Sequence, residues 1–379
     1  MVADGNRRGY QHVLDAFWDE ARSYGLPLPT AEPVKASSFC TARPKITTDL
    51  LRHMLHELAT KAFEGKAVPH VWHGRRVFAV DGAKINLQRS PDLHEHFGTP
   101  EGAHCPQLLL SVLLDVCAKL PVDLMVSPFA SCERTHLLEM LPSLAPGDVL
   151  VLDRGYPSHE ILQALDQDGI DFLVRVPSSH TFAIIDEMQN DGCNDRAFQL
   201  DPPNDAPSDW RPLDLRVVRI TAPDGSESFF LTTLRRAEFS RRQLSELYHM
   251  RWEVEEHFKL LKGPYIGQLQ FRSKSPSGVR QELHALVLFL AITRLCMCTA
   301  ANATGREYDS LSQKAAVLGF AAYVTRILLA HDEDHAIRSL HQLILRITRA
   351  REKKRPHRTY PRRSFRPGPR WGPSGRRGA

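Results

Sequence analysis

The chain has 379 residues, 42% of them hydrophobic, and a formal net charge of +5, enough apolar material for a large core in one or two domains. Its seven cysteines (Cys40, Cys105, Cys117, Cys132, Cys193, Cys296, Cys298) are scattered, with no Cys-x-x-Cys pair and no His pair at zinc-finger spacing, which excludes that kind of zinc site and suits reduced thiols in the cytosol. The opening residues lack the apolar core of a signal peptide, and the longest apolar run, Ala285–Ile292, is too short to cross a bilayer, so a soluble protein without membrane contact is expected.

Charge is unevenly spread. From Arg346 onward there are thirteen Lys and Arg against one acid, Glu352, so this end carries +12 and the remaining body −7. Such a basic end suits a polyanion partner, most simply nucleic acid, or serves as a solubilising tail.

Residues 1–70 read as a helical N-terminal region that could bind DNA, with apolar residues at helical spacing over Gln11–Tyr24 and Ile46–Phe63. Leu26–Lys45, rich in Pro, Ser and Ala, reads as a linker-like loop. His53, His56, His70 and His73 are available as ligands, but core or surface positions explain them as well.

From Arg76 the pattern changes to strands. Val77 to Val80 is a short apolar run ending in Asp81-Gly82, a buried strand meeting a turn. Gln107–Val116 and Pro121–Val126 read as two more strands, and Thr135–Leu141 as a short helix. Val149 to Leu152 then ends in Asp153-Arg154-Gly155, repeating the first arrangement. Ser158 can cap a helix over His159–Asp166, and Ile170–Val176 is a further strand. Residues 177–236 read as a β-rich insertion, with strands Leu213–Thr221 and Ser226–Thr233 flanking a Pro223-Asp224-Gly225 hairpin signal. Helices are expected over Phe239–Lys262, Gln281–Ala300, Ser310–Ala330 and His335–Arg351; residues 351–379, dominated by Arg, Pro and Gly, should be disordered.

Within the first of these helices, Tyr248, Arg251, Glu255 and Lys262 fall in a wedge of roughly 60°. Leu247, Val254, Phe258 and Leu261 form an apolar stripe beside it. A carboxylate between an Arg and a Lys therefore sits at the edge of a buried face, as it would on an ordinary amphipathic helix. Strand ends are where sites collect in α/β sheets, so Asp81 and Asp153 are candidates to join Glu255. Three acids drawn together repel unless a cation joins them, and oxygen-only ligands favour Mg²⁺ or Mn²⁺. Two such ions about 4 Å apart suit phosphodiester displacement. Plainer readings stand beside this one. An Asp-Gly after a strand is often a simple turn, Glu253 and Glu256 compete with Glu255, and Asp115 and Asp123 are rival strand acids.

The order Asp81-Gly82, Asp153-Arg154-Gly155-Tyr156, β insertion, then Tyr248-x2-Arg251-x3-Glu255-x6-Lys262 resembles bacterial DDE transposases. More narrowly it resembles the insertion-sequence-four group with its Tyr-Arg-Glu-Lys signature. His96-Phe97-Gly98 and Pro106-Gln107 resemble the region after that group's first Asp, whereas Ala83 stands where the group usually has Ser or Thr. The resemblance covers about residues 27–300 and implies an α/β fold with a ribonuclease-H-like core over residues 71–350, interrupted at about 177–236. It implies Asp81, Asp153 and Glu255 as catalytic residues holding two Mg²⁺ ions, with Mn²⁺ as substitute. Tyr248, Arg251 and Lys262 would meet DNA at the element's ends, and Trp252 would stack on a flipped base or pack on the core. The expected activity is cleavage at inverted-repeat ends and strand transfer into target DNA by a homodimer in the bacterial cytoplasm. A non-catalytic DNA-binding repressor and a structure-selective nuclease are the alternatives.

Overall fold

The structure, a computed structural model, describes residues 9–65, 71–177, 182–221, 225–263 and 270–352. His70, most of the Pro223-Asp224-Gly225 turn and nearly all of the basic tail lie outside the described residues. The strands are β1 (Val77–Asn86), β2 (Gln107–Asp115), β3 (Leu120–Pro128), β4 (Val149–Leu152), β5 (Asp171–Val176), β6 (Asp195–Leu200), β7 (Leu213–Thr221) and β8 (Glu227–Thr232). They form one eight-stranded mixed sheet in the order β3-β2-β1-β4-β5-β8-β7-β6. β1, β2 and β3 are an antiparallel meander, β4 and β5 run parallel to β1, and β8, β7 and β6 continue antiparallel from β5. The β-rich segment thus extends the same sheet.

The pattern of burial explains the order. All four residues of β4 are buried, as are eight of the nine in β2, the continuous apolar signature of strands covered on both faces. β1 is fully buried only through Val80. It does not stop at the Asp-Gly, as its sequence suggests. Its pairing with β2 runs on from Asp81↔Val112 to Asn86↔Gln107, because β2 offers a ladder of partners beyond the point where β4 has ended.

The helices are α1 (Tyr10–Ser23), α2 (Ala36–Ala42), α3 (Thr48–Glu64), α4 (Pro91–Phe97), α5 (Glu133–Met140), α6 (His159–Gln167), α7 (Ala183–Asp191), α8 (Arg241–Met250), α9 (Trp252–Leu261), α10 (Pro276–Thr304), α11 (Gln313–Leu328) and α12 (Glu333–Arg349). Leu26–Lys45 is not the plain loop expected, since it holds α2 and a 3-10 turn at Arg43–Lys45. Tertiary contact holds that segment: Arg43 donates to the Gly278 carbonyl and the Tyr10 hydroxyl, both at 2.6 Å. α10 is long and apolar enough to cross a membrane by length and composition, but 78% of that window is buried inside the fold, where it packs against α3, α11, α12 and β3. It serves as the core helix.

α3 seats the N-terminal helices on the sheet. Leu51, Leu55, Ala59 and Ala62 form its buried face, and burying each leucine contributes about 1.5–3 kcal/mol. Across this face Arg52 donates from Nε and Nη2 to the two carboxylate oxygens of Asp123, at 2.7 and 2.6 Å. Asp123 is wholly buried and also accepts from Ser143 and from the Leu124 amide.

One loop glycine is tightly specified. Gly98 closes α4 with φ 78 and ψ 167, a region that side chains rarely adopt. A Cβ there would lie 2.8 Å from the Phe129 ring. Gly98→Ala should therefore destabilise the fold by roughly 2 kcal/mol or more, read as a lower midpoint in urea unfolding. An unchanged midpoint would show that the loop relaxes freely.

Candidate functional site

The parallel register of β1 and β4 carries Asp81 and Asp153 towards the same end of that strand pair. β1 and β4 pair in parallel over Val77↔Val149, Phe78↔Leu150 and Ala79↔Val151. Extended by two residues at the same offset, that register places Asp153 level with Asp81. Neighbouring strands are about 4.8 Å apart. β4 ends at Leu152, so the edge of β1 beyond it is open on that side, and α9 packs against β1 and β2.

The segment expected as one helix is two. α8 begins with a capping box, in which Ser240 and Gln243 satisfy each other's free amides. It ends at Met250, and α9 resumes at Trp252. At the junction Arg251 N bonds to the Tyr248 carbonyl and Val254 N to the Arg251 carbonyl, both at 3.1 Å. These i−3 bonds tighten the winding where the Arg251 side chain turns inward.

Arg251 is the hub of the site. Its Nη2 donates to Glu255 Oε1 at 2.7 Å, and its Nη1 lies 3.6 Å from Asp81 Oδ2. Burial works against its charge, and the electrostatic pull of Tyr248, Asp153, Glu255 and Asp81 overcomes that, holding its pKa above the ordinary arginine value. Tyr248 donates its hydroxyl to Asp153 Oδ1 at 3.2 Å. Burial and the Asp153 charge raise the Tyr248 phenol, so it stays a donor at neutral pH. Burial, then the charges of Glu133 and Glu255, push Asp81 up to about 6, against the Gly82 amide and Arg251. Lys262 feels Asp81 as well, while burial lowers its pKa.

The structure thus gathers Asp81, Glu255 and the Tyr248 ring around the Arg251 guanidinium, with Asp153 held by the Tyr248 hydroxyl. The rival acids are engaged elsewhere. Glu253 pairs with Lys119 at 3.1 Å, Glu256 pairs with Lys259, Asp115 accepts from the Ala118 amide, and Asp123 holds Arg52. Trp252 is 36% exposed, with Lys259 Nζ 5.5 Å from its ring centre; it lies on the surface and not in the core.

Among the described residues no three His, Cys, Asp or Glu side chains are grouped as they would be around a metal ion. The positive charge shared by Asp81 and Glu255 is that of Arg251. The donor set is nonetheless oxygen-only and half-buried, which suits a hard divalent ion. Burial, with the charges of Glu133 and Glu255 adding to it, holds Asp81 at about 6, and a cation beside the carboxylate would offset both.

Sequence reasoning missed Glu133 and named Tyr156 only as part of the Asp153-Arg154-Gly155-Tyr156 motif, without a contact for it. Glu133, at the start of α5, stands near Asp81, and Tyr156 donates its hydroxyl to Glu133 Oε2 at 3.2 Å. Glu133 carries no local signal, because an acid in the first turn of a helix is ordinary and its partner Tyr156 lies 23 residues away.

The transposase DDE domain family model matches residues 72–293, from just before β1 into α10. A curated Escherichia coli (strain K12) protein named "Putative transposase InsZ" is 22% identical over 138 residues, covering 35% of this chain and 46% of that protein. The matched region therefore spans less than half of that relative's length. A solved cryo-EM structure of the piggyBac transposase synaptic complex with hairpin DNA aligns with 76% of this chain and 62% of its own, at 9% identity and a TM-score of 0.43.

Proposed function

This chain belongs to the transposase DDE-domain family, and on that premise we propose that it is a DNA transposase of the insertion-sequence-four group. It would cut at its element's inverted-repeat ends and join the freed 3′-hydroxyl to target DNA. The observation that carries this reading is the convergence of Asp81 and Glu255 on Arg251, with Asp153 bonded to Tyr248, in the spacing of the Tyr-Arg-Glu-Lys signature. The β1–β3 meander joined in parallel to β4 and β5 supports a ribonuclease-H-like core over residues 71–350, with residues 177–236 as its β insertion. Residues 1–70 would be a helical accessory region. Residues 351–379 would add a basic contact to DNA phosphate.

In this reading Asp81, Asp153 and Glu255 would hold two Mg²⁺ ions, or Mn²⁺ in their place, which would supply the positive charge that activates an attacking oxygen and stabilises a departing one. Tyr248 fixes the rotamer of Asp153 through its hydroxyl. Arg251 and Lys262 present positive charge to the scissile phosphate from the adjacent helix face. Trp252, exposed at the start of α9, is placed to stack on a base. A homodimer would engage paired ends in the bacterial cytoplasm.

The test combines purified protein with duplex carrying the element's ends and Mg²⁺, followed by a strand-transfer assay on target plasmid. Nicking at the end and joined product are expected. Cleavage without joining would identify a nuclease instead, and binding without cleavage a repressor.

A further inference from the structure

Glu133 and Gly82 form a device that no part of the signature includes. α5 begins at Glu133, and its first two side chains reach Gly82 in β1 and the turn after β4. Glu133 lies over the backbone of Gly82, the residue after Asp81. A Cβ built on Gly82 would fall 2.5 Å from Glu133 Oε1 and 2.7 Å from Cγ. Gly82 has no positive φ among the backbone conformations that favour glycine, so the missing side chain is a matter of space and not of torsion. On the other side, the buried Tyr156, three residues past Asp153, donates its hydroxyl to Glu133 Oε2 at 3.2 Å. The next residue, Arg134, donates Nε to the Gly155 carbonyl at 2.9 Å. The N-terminus of α5 therefore ties the Asp81-Gly82 segment of β1 to the Asp153–Tyr156 turn after β4.

Building on the transposase reading above, we propose that Glu133 is a positioning residue that sets the spacing and negative field of the Asp81–Asp153 pair, and so the affinity of the site for its divalent ion. Three physical points lead there. Glu133 carries a charge that acts directly on Asp81. Its own orientation is fixed from both sides, by Tyr156 and by the absence of a Gly82 side chain. Glu133 bridges β1 at Gly82 to the turn that follows β4, and the direct pairing of those two strands stops at Ala79↔Val151, so another contact has to hold the two segments at a fixed separation. Removing the charge loosens that contact and weakens the field, and both changes lower the hold on a cation.

Gly82→Ala is a selective probe, because the three atoms nearest the new methyl all belong to the flexible Glu133 side chain, which it would swing away. Calorimetric titration with Mn²⁺ should be run on the full-length wild type, Glu133→Gln, Glu133→Asp, Gly82→Ala and the Gly82→Ala/Glu133→Gln double variant, with thermal melts as folding controls. Glu133→Gln should bind Mn²⁺ about tenfold more weakly, a loss of about 1.4 kcal/mol. Glu133→Asp should recover part of it. Gly82→Ala should match Glu133→Gln, and the double variant should be no worse than either single, since both act through one contact. End nicking by Glu133→Gln should recover as Mg²⁺ is raised, which a misfolded protein would not do. Wild-type Mn²⁺ affinity in Glu133→Gln, or additive losses in the double variant, would overturn the proposal while leaving the transposase reading intact. A wild type that binds no Mn²⁺ would remove both.

Discussion

Asp153→Asn should lower Mg²⁺-dependent nicking of end-bearing duplex by about 10³-fold or more, equivalent to roughly 4 kcal/mol of transition-state stabilisation. Asp81→Asn and Glu255→Gln should do the same. Each exchange keeps the side chain's size and removes the charge, so the effect should fall on chemistry and not on folding. Tyr248 can still donate to the amide oxygen that replaces Asp153 Oδ1, and Arg251 keeps one acid partner when either Asp81 or Glu255 is changed. Melting temperature and duplex binding in EDTA should stay near wild type. Duplex binding can even rise, because one negative charge facing the phosphates has gone. Asp115→Asn serves as the contrast, as its carboxylate is tied to the Ala118 amide away from Arg251. Equal nicking by wild type and Asp153→Asn would end the assignment.

The second large effect concerns stability. Arg52→Ala should destabilise the fold by about 3 kcal/mol, because it leaves the carboxylate of Asp123 buried without its main partner. Asp123→Asn should cost less. The Arg52 side chain is 29% exposed, against 0% for Asp123, so an orphaned Arg52 can turn into water and an orphaned Asp123 cannot. The two substitutions thus separate the penalty of burying an unpaired charge from the net contribution of the pair. Urea unfolding of both single variants and the double variant gives the coupling directly.

The same carboxylate shapes the acid limb of stability. Burial raises Asp123, but Arg52 and His56 outweigh it and hold its pKa at about 2, below the unfolded value of about 3.9. A lowered acid contributes stability that is present above the unfolded pKa and lost as pH falls from about 4 to about 2, on the order of 2 kcal/mol. Asp115 works in the opposite sense. Burial pushes it up to about 7, against the Ala118 and Cys117 amides, so its charged form costs stability at and above neutral pH. That cost is relieved as pH falls from 7 towards 4. The urea midpoint should therefore be highest between about pH 4 and 6 and drop below it. In Arg52→Ala the acid drop should be shallower.

Strand and helix placement followed closely from local pattern where the chain is buried on both faces. β2, β4 and β5 fall where apolar runs put them, to within a residue at each end, and β7 falls where the strand before the hairpin signal was expected. Patterns failed where a distant partner decides the outcome. β1 runs past Asp81 because β2 supplies hydrogen bonds there. Leu26–Lys45 contains helix because Arg43 reaches Gly278, 235 residues away. The long segment breaks at Arg251, where i−3 bonds tighten the turn.

The sequence alone determined which residue types are present and at what spacing: two acids each following a short apolar run, and a Tyr-Arg-Glu-Lys series at helical spacing. Spacing along a strand or helix is a local property, fixed by the period of the backbone, so it can be read without knowing the fold. Which of the competing acids share an environment was decided only by tertiary structure. Glu253 and Glu255 lie two residues apart on one helix, yet one faces Lys119 and the other Arg251, because α9 packs with a particular rotation against β1 and β2. Glu133 joins Asp81 for the same kind of reason, since electrostatic interaction depends on distance through space, and the fold brings together residues that the chain keeps far apart.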